Sequence, residues 1–379
     1  MLAALAIGLL AGAGSAVAAP LTSGVYLPGS SANPRLLDRY AKEVGRAPVI
    51  VSSYKDWSSL PFSDQELNGI WKRGAIPMIT WEPWTSSEKP FSLAGIAGGR
   101  YDRYLRRAAG SAAQWGRPLM VRFAQEMNGN WFPWGHTAGN TARGYRKAWK
   151  HVVDLFRFHG ATNVIWVWSP NEDSGGSYPF APYYPGDEWV DWVALDGFNF
   201  GGSEGWPSFT KIFGSTYDRL VRLTRRPLLI AETGSSEEGG DKPEWVASAL
   251  AREAPGLPHL RGVVWFDGEH GDADFRVNSS PRALAAFRKE IDSPRYAGTR
   301  AQLLATPPQL AGAAAAPSPP SGGYGAPSLW EKIREKLHGP YLVAALVLAV
   351  AALLALAALV ALLVRRRRAR RGAAATAPT

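Results

Sequence analysis

From residue 24 to residue 290 the chain alternates short apolar runs with amphipathic stretches. The runs are Gly24-Val-Tyr-Leu27, Pro48-Val-Ile-Val51, Ile76-Pro-Met-Ile-Thr-Trp81, Leu119-Met-Val-Arg-Phe123, Val164-Ile-Trp-Val-Trp168, Trp192-Val-Ala-Leu195, Leu228-Leu-Ile-Ala231 and Gly262-Val-Val-Trp-Phe266. Runs without polar alternation predict strands covered on both faces, as in a parallel sheet. Helical stretches lie between most of them, among them Tyr101–Trp115, Ala142–His159 and Phe209–Thr224. Eight βα units in roughly 270 residues match a (β/α)8 TIM barrel, an α/β fold, and residues 20–295 are assigned to it. The pattern is weakest after Trp168, where Pro, Gly and Tyr leave room for only a short helix before Trp192.

Both ends of the chain read differently. Residues 2–19 are small and apolar and end in Ala16-Val17-Ala18, which predicts a secretory signal peptide over 1–18, although no basic residue precedes the apolar run. Residues 296–327 are rich in Ala, Pro, Gly and Ser and predict a disordered linker. Residues 328–340 form a juxtamembrane segment, and Tyr341–Val364 is an uncharged, largely apolar stretch longer than the roughly 20 residues that span a bilayer. The basic block from Arg365 to Arg371 opens a tail, 365–379, that the positive-inside rule places in the cytoplasm. The expected topology is a single-pass cell-membrane protein with its barrel outside.

Composition narrows the chemistry. With no cysteine, disulfides, thiol catalysis and Cys-ligated metals are excluded. Sixteen Trp and thirteen Tyr suit a carbohydrate binder and equally a well-packed core. The net charge is +10, but six of those charges are arginines between 365 and 371, so no nucleic-acid partner is expected.

Barrel enzymes carry their chemistry at the C-terminal ends of their strands. The fourth run is expected to end near Gln125, which puts Glu126 at its tip, ahead of a loop holding Trp131, Phe132 and Trp134. Aromatic rings stack on pyranose faces, and apolar surroundings raise a carboxyl's pKa so that it can act as an acid. The third run ends in Trp81-Glu82-Pro83-Trp84, the sixth in Asp196-Gly197-Phe198-Asn199, and the seventh in Ala231-Glu232-Thr233. Strands four and seven face each other across the mouth, so Glu126 and Glu232 are placed for retaining glycoside hydrolysis, which needs two carboxyl groups about 5–5.5 Å apart. Glu82 reads as a ligand for a sugar hydroxyl or as a supporting residue, Asp196 as a residue that sets loop geometry, and Arg122 as one that orients a glutamate. Asp267-Gly-Glu-His-Gly-Asp-Ala-Asp274 holds several oxygen ligands, but its spacing fits no twelve-residue calcium loop, and no metal is expected there.

Gly24-Val-Tyr26, Trp81-Glu-Pro83, Arg122 to Gly135, Trp166-Val-Trp-Ser-Pro170, Val193-Ala-Leu-Asp-Gly197, Ile230-Ala-Glu-Thr-Gly-Ser-Ser236 and Val263-Val-Trp-Phe266 together resemble glycoside hydrolase family 26 over residues 22–290. The resemblance implies a retaining β-glycan hydrolase of β-mannan or mixed-linkage β-glucan type, without cofactor and monomeric. It implies Glu126 as acid/base, Glu232 as nucleophile and Trp265 as the platform under the sugar next to the cut. Trp81, Glu82, Trp84, Arg122, Gln125, Asn128, Trp131, Trp134 and Phe198 complete the expected substrate-binding set. Two positions depart from the family. Gln125 stands where His is usual, and Phe198 stands where a Tyr touches the nucleophile. A Phe has no hydroxyl to offer a carboxylate, so a weakly active or non-catalytic polysaccharide-binding protein on the same barrel stays open beside the enzyme.

Overall fold

The computed structural model describes residues 20–136, 140–172 and 178–306. The signal-peptide, juxtamembrane, membrane-span and tail assignments, and most of the linker, lie outside these residues. Among the described residues no helix is long and apolar enough to cross a membrane.

Eight parallel strands close into a barrel in chain order, with β1 (Thr22–Tyr26) pairing both β2 (Ile50–Asp56) and β8 (Leu260–Phe266). The others are β3 (Ile76–Glu82), β4 (Leu119–Phe123), β5 (Val164–Trp168), β6 (Trp192–Asp196) and β7 (Leu228–Thr233). All eight apolar runs are strands, and nearly every strand residue is buried, as runs without alternation require. The outer layer holds α1 (Arg35–Val44), α2 (Asp64–Trp71), α3 (Leu93–Ala97), α4 (Asp102–Trp115), α5 (Ala142–Phe158), α6 (Phe209–Leu223), α7 (Lys242–Ser248, extended by a π turn to Glu253) and α8 (Pro281–Ile291). Between β5 and β6 the described residues hold only two 3-10 turns, Ala181–Tyr183 and Asp187–Trp189, in the gap where the pattern weakened.

The interior is filled by Ile50, Ile76, Met78, Met120, Ile165, Val167, Trp192, Ala194, Leu229, Ala231 and Val264. Its floor corrects the expected boundary at 295. Residues 300–304 are not linker but a ninth helix, α9 (Arg300–Leu304), started by a Thr299–Gln302 capping box. It drives Leu303 into the barrel core with Leu304 packed beside it. Arg300 ties it down through a hydrogen bond to the Trp71 carbonyl (2.8 Å) and by stacking on the Trp71 ring. Two leucines that fill an open barrel end outweigh the linker-like composition around them.

Candidate active site

Side chains alternate along a strand, so the core positions decide which strand-end residues enter the barrel mouth. Continuing the inward parity of Ile50, Ile76, Met120, Trp192 and Val264 brings in Tyr54, Thr80, Glu82, Arg122, Asp196 and Phe266. Glu232 breaks this rule, because Ala231 already faces in. The β6–β7 register runs Leu195↔Ile230 and then Asp196↔Glu232, and the β7–β8 register shifts between Ile230 and Thr233. The extra residue is a β-bulge, and it turns Glu232 into the mouth.

The same parity sends two expected ligands the other way. Trp81 is fully buried among Trp57, Phe62, Tyr104 and Phe156. Trp265, expected to be the sugar platform, packs on Phe287 of α8 and Trp245 of α7 and donates to the Phe275 carbonyl (2.7 Å). Neither has a ring face to give a ligand. Phe266, the next residue, faces the mouth against Tyr26.

Arg122 organises the centre. It is completely buried, and its Nη1 donates to Glu232 Oε1 (2.6 Å) and Thr80 Oγ1 (3.1 Å). Its Nη2 donates to Asp196 Oδ2 (2.5 Å) and Ser169 Oγ (3.2 Å), and the Ser169 hydroxyl itself donates to Asp196 (2.8 Å). Burial alone would lower the Arg122 pKa, but the Asp196 and Glu232 carboxylates together raise it. Burial pushes Asp196 up to about 7 against the pull of Arg122. With no exposed surface, Arg122 acts on a ligand only through Glu232.

Glu126 has a different environment. Burial raises its pKa well above the usual carboxylate value, and the charges of Asp196 and Glu232 push in the same direction. Its Oε2 accepts from Trp131 Nε1 (2.6 Å), and Trp131, 45% exposed, carries that contact out to solvent. The backbone here is strained. Ala124 and Glu126 both have positive φ, 47° and 51°, which costs a non-glycine residue about 1 kcal/mol or more each. The turn at Ala124 ends β4 at Phe123, two residues earlier than the apolar pattern suggests. Hydrogen bonds from Glu126 N to Ser169 O (2.8 Å), from Ala124 N to Trp81 O (3.1 Å) and from Trp134 Nε1 to Gln125 O (2.7 Å) hold the strained turn.

The remaining expected ligands divide. Trp134 is buried between Phe132 and Trp84, and Asn128 is a fully buried bracket donating to the carbonyls of Asn171 and Tyr178, so both support the loop. Gln125 is buried and donates to Glu82 Oε1 (2.9 Å), while Trp84 Nε1 donates to Glu82 Oε2 (3.1 Å). Burial nevertheless lifts Glu82 to about 7. Glu82, Trp84, Trp131 and Phe198 keep part of their surface open.

Phe198 has no polar partner; it lies against Phe200, Phe266 and Phe275. Tyr54 on β2, a residue that the apolar runs passed over because its strand continues through polar positions, also turns into the mouth. Burial raises the Tyr54 pKa well above its usual value, and the Glu232 charge pushes in the same direction. Tyr54→Phe, which removes a hydroxyl from the surroundings of Glu232, is expected to lower kcat by up to about tenfold with little change in KM. Phe198→Tyr is expected to leave kcat unchanged. Steady-state kinetics of the two variants check both statements, and a gain from Phe198→Tyr would contradict the assignment.

At the mouth, the loop after β8 is a short hairpin whose far strand is pinned from α7. Lys242, fully buried, donates to the carbonyls of Asp274 (3.0 Å) and Arg276 (2.8 Å) and to Ser279 Oγ (2.8 Å). Among the described residues no cluster of acids and histidines could hold a metal ion.

The profile of glycosyl hydrolase family 26 matches residues 98–238, the span that carries Glu126, Arg122, Asp196 and Glu232. Endoglucanase H of Acetivibrio thermocellus is 36% identical over 260 residues, covering 65% of this chain. Over residues 98–238 the chain is similar to glycosyl hydrolase family 26. A mannan endo-1,4-beta-mannosidase of Bacillus subtilis strain 168 is 27% identical over 203 residues, covering 46% of the chain. The chain spans 28% of the length of the first relative and 51% of the second. In fold it is similar to the catalytic domain of an endo-beta-1,4-mannanase from Bacillus sp. JAMB-750, with a TM-score of 0.58 at 18% identity over 75% of this chain and 88% of that one.

Proposed function

We propose that this barrel hydrolyses a β-glycan of the mannan or mixed-linkage glucan class from within the chain, with retention of configuration. Glu126 is the acid/base and Glu232 the nucleophile. The observation that carries this reading is the unequal setting of the two glutamates. Glu232 meets a fixed, fully buried guanidinium, as a group that must attack as an anion requires. Glu126 has no cation within hydrogen-bond reach among the described residues, and its pKa is raised, as a group that must deliver a proton requires. In the first step the Glu232 carboxylate forms a bond to the anomeric carbon while the glycosidic bond breaks, and the Glu126 proton goes to the leaving oxygen. Water, deprotonated by Glu126, then displaces Glu232. Arg122, held in turn by Thr80, positions Glu232; Trp131 sets Glu126 and offers its exposed ring to the leaving sugar.

The names of the relatives support the substrate class, and the apolar 341–364 stretch with its arginine block supports display on the outer face of a membrane. The two glutamates at the mouth support the hydrolase over the weakly active reading, which Phe198 without a hydroxyl still motivates. Proton NMR of the first product released from a β-glycan is expected to show the substrate's own anomer; first appearance of the opposite anomer would mean that the two carboxylates act by inversion.

A further inference from the structure

The charge of the barrel is strongly polarised. Between residues 98 and 160 the sequence holds eleven Lys and Arg against three Asp and Glu, a net +8 in a chain whose total outside the arginine tail is +4. Arg122 and Glu126 belong to the active site, and Asp102 and Asp154 are engaged with His151 (2.6 Å) and Trp189 (2.8 Å). What faces solvent is cationic: Arg103 and Arg107 on α4, Arg143 and Lys147 on α5, and Arg100 just before α4, all exposed and none ion-paired to a described acid.

These residues form a strip. Each helix runs down from the mouth after its strand, so Arg143 and Lys147, in the first two turns of α5, lie at the rim. The Asp102–His151 bond joins the first turn of α4 to the middle of α5, which puts Arg103 and Arg107 further down the same flank. The placement works against helix electrostatics. A helix N-terminus carries partial positive charge and disfavours cations. Yet α5 has no acid in its first turn and holds Arg143 there, and the first-turn acid of α4 is committed to His151. Cations kept where the helices themselves disfavour them answer to something outside the helices.

The strip begins beside the loop joining β4 to α5, which carries Glu126 and the exposed Trp131. In the proposed mechanism this is where the leaving half of the glycan exits. We infer that the α4–α5 flank binds the leaving portion of a polysaccharide bearing anionic substituents, such as carboxylates, so that the preferred polymer is an acidic β-glycan. This inference rests on the hydrolase reading for the direction of the chain.

The test measures binding of the full-length protein to a carboxymethylated β-glucan and to its neutral parent, for the wild type and for R103E/R107E/R143E/K147E. Both proteins carry the same arginine tail, so a difference between them belongs to the helices. The wild type is expected to bind the carboxymethylated polymer about tenfold more tightly at an ionic strength of about 0.01 M, and to lose the preference at about 0.3 M. The reversed variant is expected to lose the preference at low salt while keeping the wild-type unfolding midpoint. If the reversal impairs folding, the corresponding Gln variant decides, with a reduced preference expected. A preference that survives reversal, or none in the wild type, overturns the inference. Binding to phosphatidylglycerol vesicles that is lost on reversal, with glycan binding unchanged, overturns it in favour of a lipid-facing surface. Reducing-end release from the neutral polymer, followed in parallel, reports on the hydrolase reading separately: its absence beside an intact charge preference counts against hydrolysis alone.

Discussion

Glu232→Ala is expected to lose about 10⁴-fold or more in kcat on every substrate, because it removes the carboxylate that forms the covalent intermediate. Arg122 donates to this carboxylate and is itself held by Thr80, and neither can replace it as a nucleophile. Glu126→Ala is expected to behave differently. With a poor leaving group it should be nearly as damaging, since the oxygen departs without a proton. With an activated phenol the first step still runs, because such a group needs little protonation to leave. The second step then lacks its base, and a glycosyl-enzyme should accumulate on Glu232, visible as added mass on the intact protein. Azide should rescue this variant with retained configuration, since it attacks the intermediate without needing a base. The same anion with Glu232→Ala should give the inverted azide, because it enters the vacated side directly. Equal, modest losses from both variants, with no azide product from either, would remove both roles.

Arg122→Met is expected to be the most destabilising single substitution in the mouth. It leaves Asp196, fully buried, and Glu232, 7% exposed, without their cation. Removing one partner of a buried ion pair costs about 3–5 kcal/mol, which for a barrel of this size lowers the unfolding midpoint by about 5–15 °C. The loss should depend on pH in a definite direction. Asp196 stands at about 7 even with the guanidinium present, well above its ordinary value, and it rises further when the cation is removed. A carboxyl whose folded pKa is raised contributes its stability fully below its unfolded pKa and loses it as pH rises through the folded value. The deficit of Arg122→Met should therefore be smaller near pH 5 than near pH 8. Thermal unfolding of wild type and variant at the two pH values checks this, and a deficit that grows on acidification would show that Asp196 is not the group left stranded.

Much of the site was legible before any coordinates. Glu126 stands at the end of an apolar run beside a Trp-rich loop, and Glu232 ends the seventh run. Both facts follow from where strands end, and ends are marked by Gly, Pro and Asn. Arg122 is an isolated charge within an apolar run, which pointed to an orienting role toward a glutamate. The aromatic ligands were not legible in the same way. Trp81 and Trp265 sit in runs that are apolar at every position, because strands in this barrel are covered by helices outside and by packed side chains inside. Such runs show no alternation, so the sequence does not say which residues face in.

What the sequence determined by itself was the count of strands, their parallel arrangement and the identity of the acidic groups at their tips, since these depend on local hydrophobicity and on residue type alone. The tertiary structure decided everything that depends on parity and closure. A bulge in β7 turned Glu232 inward, and the inward face of β2 brought Tyr54 into the mouth. Closure placed Leu303 in the barrel floor and set α4 beside α5, so that arginines and a lysine some 40 positions apart became one cationic flank. Each is a contact between segments distant in the chain, and no single segment carries it.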